Sequence, residues 1–111
     1  MQFSKEIMKG AAEVIVLQTL QDLGEAYGYQ MIKSIAEDSH DIFEFHEGTL
    51  YPLLYRLEDK GLVSSEKKEA PSGKKRRYYA LTPSGAKALK SMKKEYKVFL
   101  QGMQQVLRLA K

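Results

Sequence analysis

The stretch TLYPLLYRLEDKG, Thr49 to Gly61, decides the fold, together with the two segments that follow it, LVSSEKKE (Leu62 to Glu69) and KKRRYYAL (Lys74 to Leu81). Leu50, Leu53, Leu54 and Leu57 satisfy the i, i+3, i+4, i+7 template of an amphipathic helix. Pro52 is compatible with that helix in its first turn, where amide hydrogens lack helical partners, so the helix is predicted to start near residues 46–49. Gly61 ends it. Beyond Gly61 the period becomes extended, and Ala70-Pro71-Ser72-Gly73 supplies turn chemistry between two strands. By two-residue alternation Tyr79 and Leu81 share one face of the second strand, and Tyr78 and Ala80 the other. The expectation is a helix followed by a β-hairpin whose second arm is strongly basic.

Working outward, a first helix is expected over about residues 4–23, with Ile7, Ala11, Val14, Leu17, Leu20 and Leu23 on one face and Gly24 as its stop. A second, over about 27–38, turns Met31, Ile32, Ile35 and Ala36 inward; Asp38-Ser39-His40-Asp41 breaks it, and Ile42, Phe43 and Phe45 suit a short extended connector. On the C-terminal side Thr82-Pro83 reads as an N-cap followed by proline at the first helical position. In the helix that follows, Leu89, Met92, Tyr96, Phe99, Met103, Val106 and Ala110 are spaced alternately by three and four, a heptad seam that Leu100 and Leu107 broaden. From Pro83 to Leu109 it would run roughly 40 Å at about 1.5 Å per residue. That exceeds what a domain of this size can cover, so the seam calls either for folding back on its own core or for a second copy.

The chain has 111 residues, suited to one ordinary domain with an appended element, and 43% hydrophobic content suits a folded protein. It contains no Cys, which excludes a disulfide framework, thiolate chemistry and Cys-based zinc sites. Glu13 interrupts the apolar run Ala11 to Leu17, which argues against a secretion signal, and no stretch approaches the roughly 20 apolar residues of a membrane span. A soluble intracellular protein is expected. The net charge of +4 is unevenly placed: residues 1–63 carry 5 basic and 11 acidic side chains, residues 64–86 carry 6 and 2, and residues 87–111 carry 7 and 1. Such polarity hints at a polyanionic partner, against a plain solvated surface as the alternative.

Three helices, a basic hairpin and a last helix make a mainly helical winged helix-turn-helix (α-α-α-β-β), domain 1–81, with a C-terminal helix, 82–111. In that fold the third helix enters the major groove and the wing lies along flanking backbone. Here the third helix turns its leucines inward and is expected to present Thr49, Tyr51, Tyr55 and Arg56, groups able to bond base edges or phosphate oxygens. Lys74, Lys75, Arg76 and Arg77 follow the turn, where long cations can straddle phosphates. Edge strands use positive charge against aggregation, but four consecutive cations exceed that need.

The blocks Tyr27-Gly28-Tyr29, Gly48 to Leu62 and Lys75 to Thr82, in this order and separation, resemble the signature of PadR-like transcriptional regulators across about residues 7–109. The resemblance implies a cytoplasmic prokaryotic repressor with a C-terminal dimerisation helix, of the small subfamily. It implies that Lys9, Tyr29, Thr49 and Tyr51 contact DNA and that Lys74 to Arg77 form the wing, with Tyr78 and Tyr79 packing in the hairpin. The dimer interface would comprise Leu89, Met92, Tyr96, Phe99, Leu100, Met103, Val106 and Leu107. Some small members bind planar hydrophobic compounds between subunits, which here places a candidate effector site at Met92, Tyr96 and Phe99. Tyr96 stands where the family often has tryptophan, and His46 where it often has a small N-capping residue.

Other chemistries fit less well. His40, Asp41, Glu44, His46 and Glu47 crowd together without a metal-binding spacing, no serine or aspartate accompanies either histidine in a catalytic motif, and Gly24 and Gly28 do not make a phosphate loop. No enzyme, cofactor or metal is expected, and the narrow seam of the last helix suits another helix better than a membrane. The reading is a homodimeric repressor of palindromic duplex DNA, relieved by a small hydrophobic or aromatic effector. A winged-helix protein-interaction module remains the alternative from another class; it would expose an apolar patch on the third helix.

Overall fold

A computed structural model describes residues 2–109. The elements in order are α1 (Lys5–Met8), α2 (Ala11–Leu23), β1 (Glu25–Ala26), α3 (Gly28–Asp38), α4 (Glu47–Asp59), β2 (Val63–Glu69), β3 (Lys75–Leu81) and α5 (Pro83–Leu107). The architecture is a mainly helical winged helix with a three-stranded antiparallel sheet, ordered β1-β3-β2, and a long last helix.

The predicted first helix is two. Gly10 adopts φ +83°, left-handed backbone that ends one helix and starts another at a bend. The stripe read through that bend therefore fails at its near end, where Ile7 is 66% exposed, and Leu23 at its far end is exposed as well. The hairpin forms as expected, in register from Val63↔Leu81 to Glu69↔Lys75. It gains a strand the sequence did not announce, since Glu25 pairs with Ala80 and Ala26 with Tyr79. Two residues are too few to carry a period.

Helix α4 begins at Glu47 behind His46, whose side chain makes no capping bond. Pro52 consequently lies in the second turn, not the first. What it removes is the amide that would bond the Gly48 carbonyl; Gly48 is exposed, so water can serve that oxygen. Leu50, Leu53, Leu54 and Leu57 are buried together with Leu17, Leu20, Met31, Val63 and Tyr79. Each such side chain contributes about 1.5–3 kcal/mol by leaving water. Between α3 and α4, Ser39 Oγ donates to the Ile35 carbonyl (2.8 Å) and accepts from the Phe43 amide (3.0 Å). His40 and Asp41 both take positive φ, 52° and 65°, to turn the chain there.

The last helix starts where Thr82-Pro83 placed it. The Thr82 hydroxyl accepts from the Gly85 amide (3.0 Å) and donates to the Gly61 carbonyl (2.6 Å), so one group caps α5 and ties it to the end of α4. Leu89 is buried in the common core and Met92 packs against it, whereas Phe99, Leu100, Met103, Val106 and Leu107 are exposed. The helix ends at Leu107, two residues before the expected stop, with Arg108 in the left-handed conformation (φ 56°). Ala110, the last position of the seam, lies outside the described residues. At about 1.5 Å per residue α5 is roughly 37 Å long, which accounts for much of the molecule's 51 × 29 × 21 Å shape. No helix among the described residues is long and apolar enough to cross a membrane.

Candidate nucleic-acid interface

Helix α4 turns its leucines into the core, so its other side faces out. Thr49, Tyr55 and Arg56 are exposed there, Tyr55 by 56%. Tyr51 departs from the expectation. Its ring is half-buried and lies across Gly28 at the start of α3, where a Cβ on residue 28 would stand 2.7 Å from Tyr51 Cζ and closer still to the hydroxyl. Burial is the chief reason its phenol is held above its ordinary pKa, with Glu47 and Tyr55 adding to it; Arg76 and the Gly28 amide act in the opposite direction. Tyr51 is thus a half-buried joint between the two helices of the helix-turn-helix.

The wing carries its cations on both faces. Arg76 lies over the Tyr27 ring (5.1 Å to the centroid), Tyr27 meets Tyr78 edge-on (5.3 Å), and Lys68 lies over Tyr78 (4.9 Å) while pairing with Glu25. These aromatic faces attract and orient the two cations. On the other face Arg77 donates to Ser65 Oγ (3.1 Å), which donates to Glu58 Oε2 (2.8 Å) at the end of α4. Lys74 and Lys75 at the turn are exposed. The register sets Lys67 opposite Arg77 and Lys68 opposite Arg76. Like charges directly opposite on a ladder are destabilising. Two such pairs lie in this one short hairpin, and Glu25 offsets the charge of Lys68 in one of them.

Tyr51 meets Tyr55 (6.3 Å between ring centroids) and the start of α3 at Gly28, next to the exposed Tyr29, while Thr49 lies in the first turn of α4, Arg56 in its last, and Lys74 and Lys75 at the end of the hairpin. Lys9 is not among them. It lines a groove of about 510 Å³ with Glu6, Ile7, Ala11, Glu95, Tyr96, Phe99 and Met103. Tyr96 and Phe99 meet edge-on there (6.5 Å), whereas Met92 is absent from the lining and packs toward the core. Sequence reasoning gave no role to Lys67 or Lys68, and none to Tyr27 beyond its place in the Tyr27-Gly28-Tyr29 block. The adjacent Lys67-Lys68 pair in the first arm was a usable signal once the hairpin register was drawn; the contact of Tyr27 with Arg76 spans some fifty positions and leaves none.

Burial also acts on Tyr79, whose phenol is pushed up to about 12, with Tyr55 and Glu58 adding to the shift. It is a core side chain, so the face it shares with Leu81 is the one turned inward, which the alternation alone did not say. His40, Asp41, Glu44, His46 and Glu47 do not converge: among the described residues no group of three or more such side chains is placed to hold a metal ion.

Residues 16–91 match the family described as the transcriptional regulator PadR-like family. The transcriptional regulator Rv3488 of Mycobacterium tuberculosis is 33% identical over 85 residues, covering 77% of this chain and 75% of its own. A transcriptional regulator from Clostridium thermocellum superposes with a TM-score of 0.81 at 29% identity, covering 94% of this chain and 97% of the other. A PadR-family transcriptional regulator from Eggerthella lenta gives 0.77 at 33% identity, covering 95% and 88%.

Proposed function

This chain belongs to the PadR-like family of transcriptional regulators, a family of DNA-binding proteins and not of enzymes, and from that premise we propose that it is a homodimeric repressor of a palindromic operator. Residues 1–81 would bind DNA and residues 82–111 would pair two copies. The observation that carries the reading is the exposed side of α4, with Thr49, Tyr55 and Arg56, beside a hairpin whose cations oppose one another across the ladder. Thr49 and Arg56 would meet base edges, Tyr29 and Tyr51 the backbone, and Lys74, Lys75 and Arg76 flanking phosphates.

Dimerisation is supported by the outer half of α5. Phe99, Leu100, Met103, Val106 and Leu107 are exposed on a helix that has outrun its own core, and Val106 reaches 73%. Apolar exposure of that kind on one continuous seam marks an interaction surface. A second copy supplies the same seam and a symmetry that matches a palindrome, with the two α4 helices about 34 Å apart in successive major grooves. The groove at Tyr96 and Phe99, lined also by Ile7, Ala11 and Met103, suits a small hydrophobic or aromatic effector. Such a compound would relieve repression by binding one dimer state better than the other. Such a repressor works in the cytoplasm, where a prokaryotic operator lies.

Selection of bound fragments from random duplex DNA, with the mass of the complex measured, tests the reading. A palindromic consensus held by two chains is the expected result. Recovery of unrelated sequences, or a one-chain complex, overturns it.

A further inference from the structure

The lysines of α5 form a surface that neither the core nor the apolar seam uses. Lys87, Lys90, Lys93, Lys94 and Lys97 fall within an arc of about 120° when the helix is drawn at roughly 100° per residue, and Leu89, Met92, Tyr96 and Phe99 centre about 140° away from it. Glu95, the one carboxylate of the helix, lies outside that arc and lines the groove at Tyr96. None of the five lysines enters an ion pair among the described residues, whose pairs are Lys60 with Glu13 and Lys68 with Glu25. A solvated helix face ordinarily interleaves both signs, because like charges three or four positions apart work against the helix. This face holds one sign only, in a line.

Its place in the fold separates it from the interface described above. Helix α5 runs beside α2, and Lys90, Lys93, Lys94 and Lys97 rim a shallow groove floored by Gln21, Ala86 and Leu89. Lys93 also borders Asp38 and Ser39 at the C-terminal end of α3. Tyr51 sits at the N-terminal end of that same helix, which at about 1.5 Å per residue is roughly 16 Å away. We propose that the lysine face of α5 is a second, sequence-independent surface for the phosphate backbone of duplex DNA, so that the protein holds a further segment while α4 and the wing engage the first. A row of long cations on one side of a helix, bordered by Asp38 only at Lys93, matches a linear polyanion, and binding of phosphates by such a row needs no base recognition. The inference rests on the DNA-binding reading of α4, and the experiment separates the two.

An immobilised duplex is loaded with protein and offered a labelled random duplex, with the wild type, K90Q/K94Q/K97Q and K74Q/K75Q compared and circular dichroism confirming each fold. Wild type is expected to capture the labelled duplex. K90Q/K94Q/K97Q should still load on the immobilised DNA but capture at least tenfold less, and the log–log salt dependence of capture should flatten by about 0.9 for each phosphate that the variant no longer neutralises. K74Q/K75Q should instead load less. Equal capture by K90Q/K94Q/K97Q and wild type overturns the proposal, as does wild type that loads without capturing. Lysine-dependent binding of phosphatidylglycerol vesicles in place of the duplex overturns it also. Failure of every variant to load would strike down the DNA reading itself, and this inference with it.

Discussion

The Tyr51 ring occupies the space in which a side chain at Gly28 would begin, with Tyr51 Cζ 2.7 Å from the position of a Cβ there. Glycine at 28 leaves room for the half-buried Tyr51 ring against the start of α3. Gly28→Ala should therefore destabilise the fold by about 1–3 kcal/mol, through overpacking. Tyr51→Ala should make the same change at 28 far less costly. Urea unfolding of the four chains in a double-mutant cycle measures the coupling, and additive losses would mean that the two residues do not meet.

Because Tyr51 leans on Gly28, Tyr51→Phe should lower affinity for operator and random DNA alike. Thr49→Ala, on the open side of α4, should instead lower discrimination between them by about 1–3 kcal/mol. Titrations of both duplexes at one salt concentration distinguish the outcomes. A selective loss with Tyr51→Phe would make Tyr51 a base reader.

The wing cations should divide by their partners. Lys74 and Lys75 are exposed at the turn, so replacing both by Ala should weaken binding to every sequence and flatten the log–log salt slope by about 0.9 per phosphate released. Arg77 is engaged by Ser65, itself bonded to Glu58. Arg77→Ala should change the slope less than Lys75→Ala does. The reverse order would show that Arg77 leaves Ser65 for phosphate.

Alkali should unfold the protein through Tyr79. Its phenol, raised in the folded state from 10.0 to about 12, keeps its proton while an unfolded chain would lose it. The contribution is whole below about pH 10 and is lost as pH rises toward 12, a loss of about 2–3 kcal/mol. Tyr79→Phe should remove that part of the pH dependence in unfolding followed from pH 9 to 12. An unchanged profile would place the alkaline transition elsewhere.

The seam beyond the core should decide the oligomer and not the fold. Val106 and Leu107 are exposed, so Val106→Glu with Leu107→Glu should leave the helical spectrum and the core intact while halving the mass seen in sedimentation. A variant that keeps the wild-type mass would remove this half of α5 from the interface.

Whatever repeats along the chain was legible in the sequence. The leucines at 50, 53, 54 and 57 disclosed the buried side of α4, Thr82-Pro83 the start of α5, and the turn at 70–73 the hairpin, because each is a local pattern enforced by one element's own geometry. Features that depend on residues distant in sequence emerged only with the chain folded. Nothing local distinguishes Gly10, which breaks a helix, from Gly85, which lies inside one; there a Cβ would press on the backbone of Leu62. The same holds for β1, which exists only because β3 offers it an edge, and for Tyr51, drawn inward by a glycine on another helix. Periodicity reports which face is apolar, whereas the partner that covers or pins a side chain is chosen by packing across the whole chain.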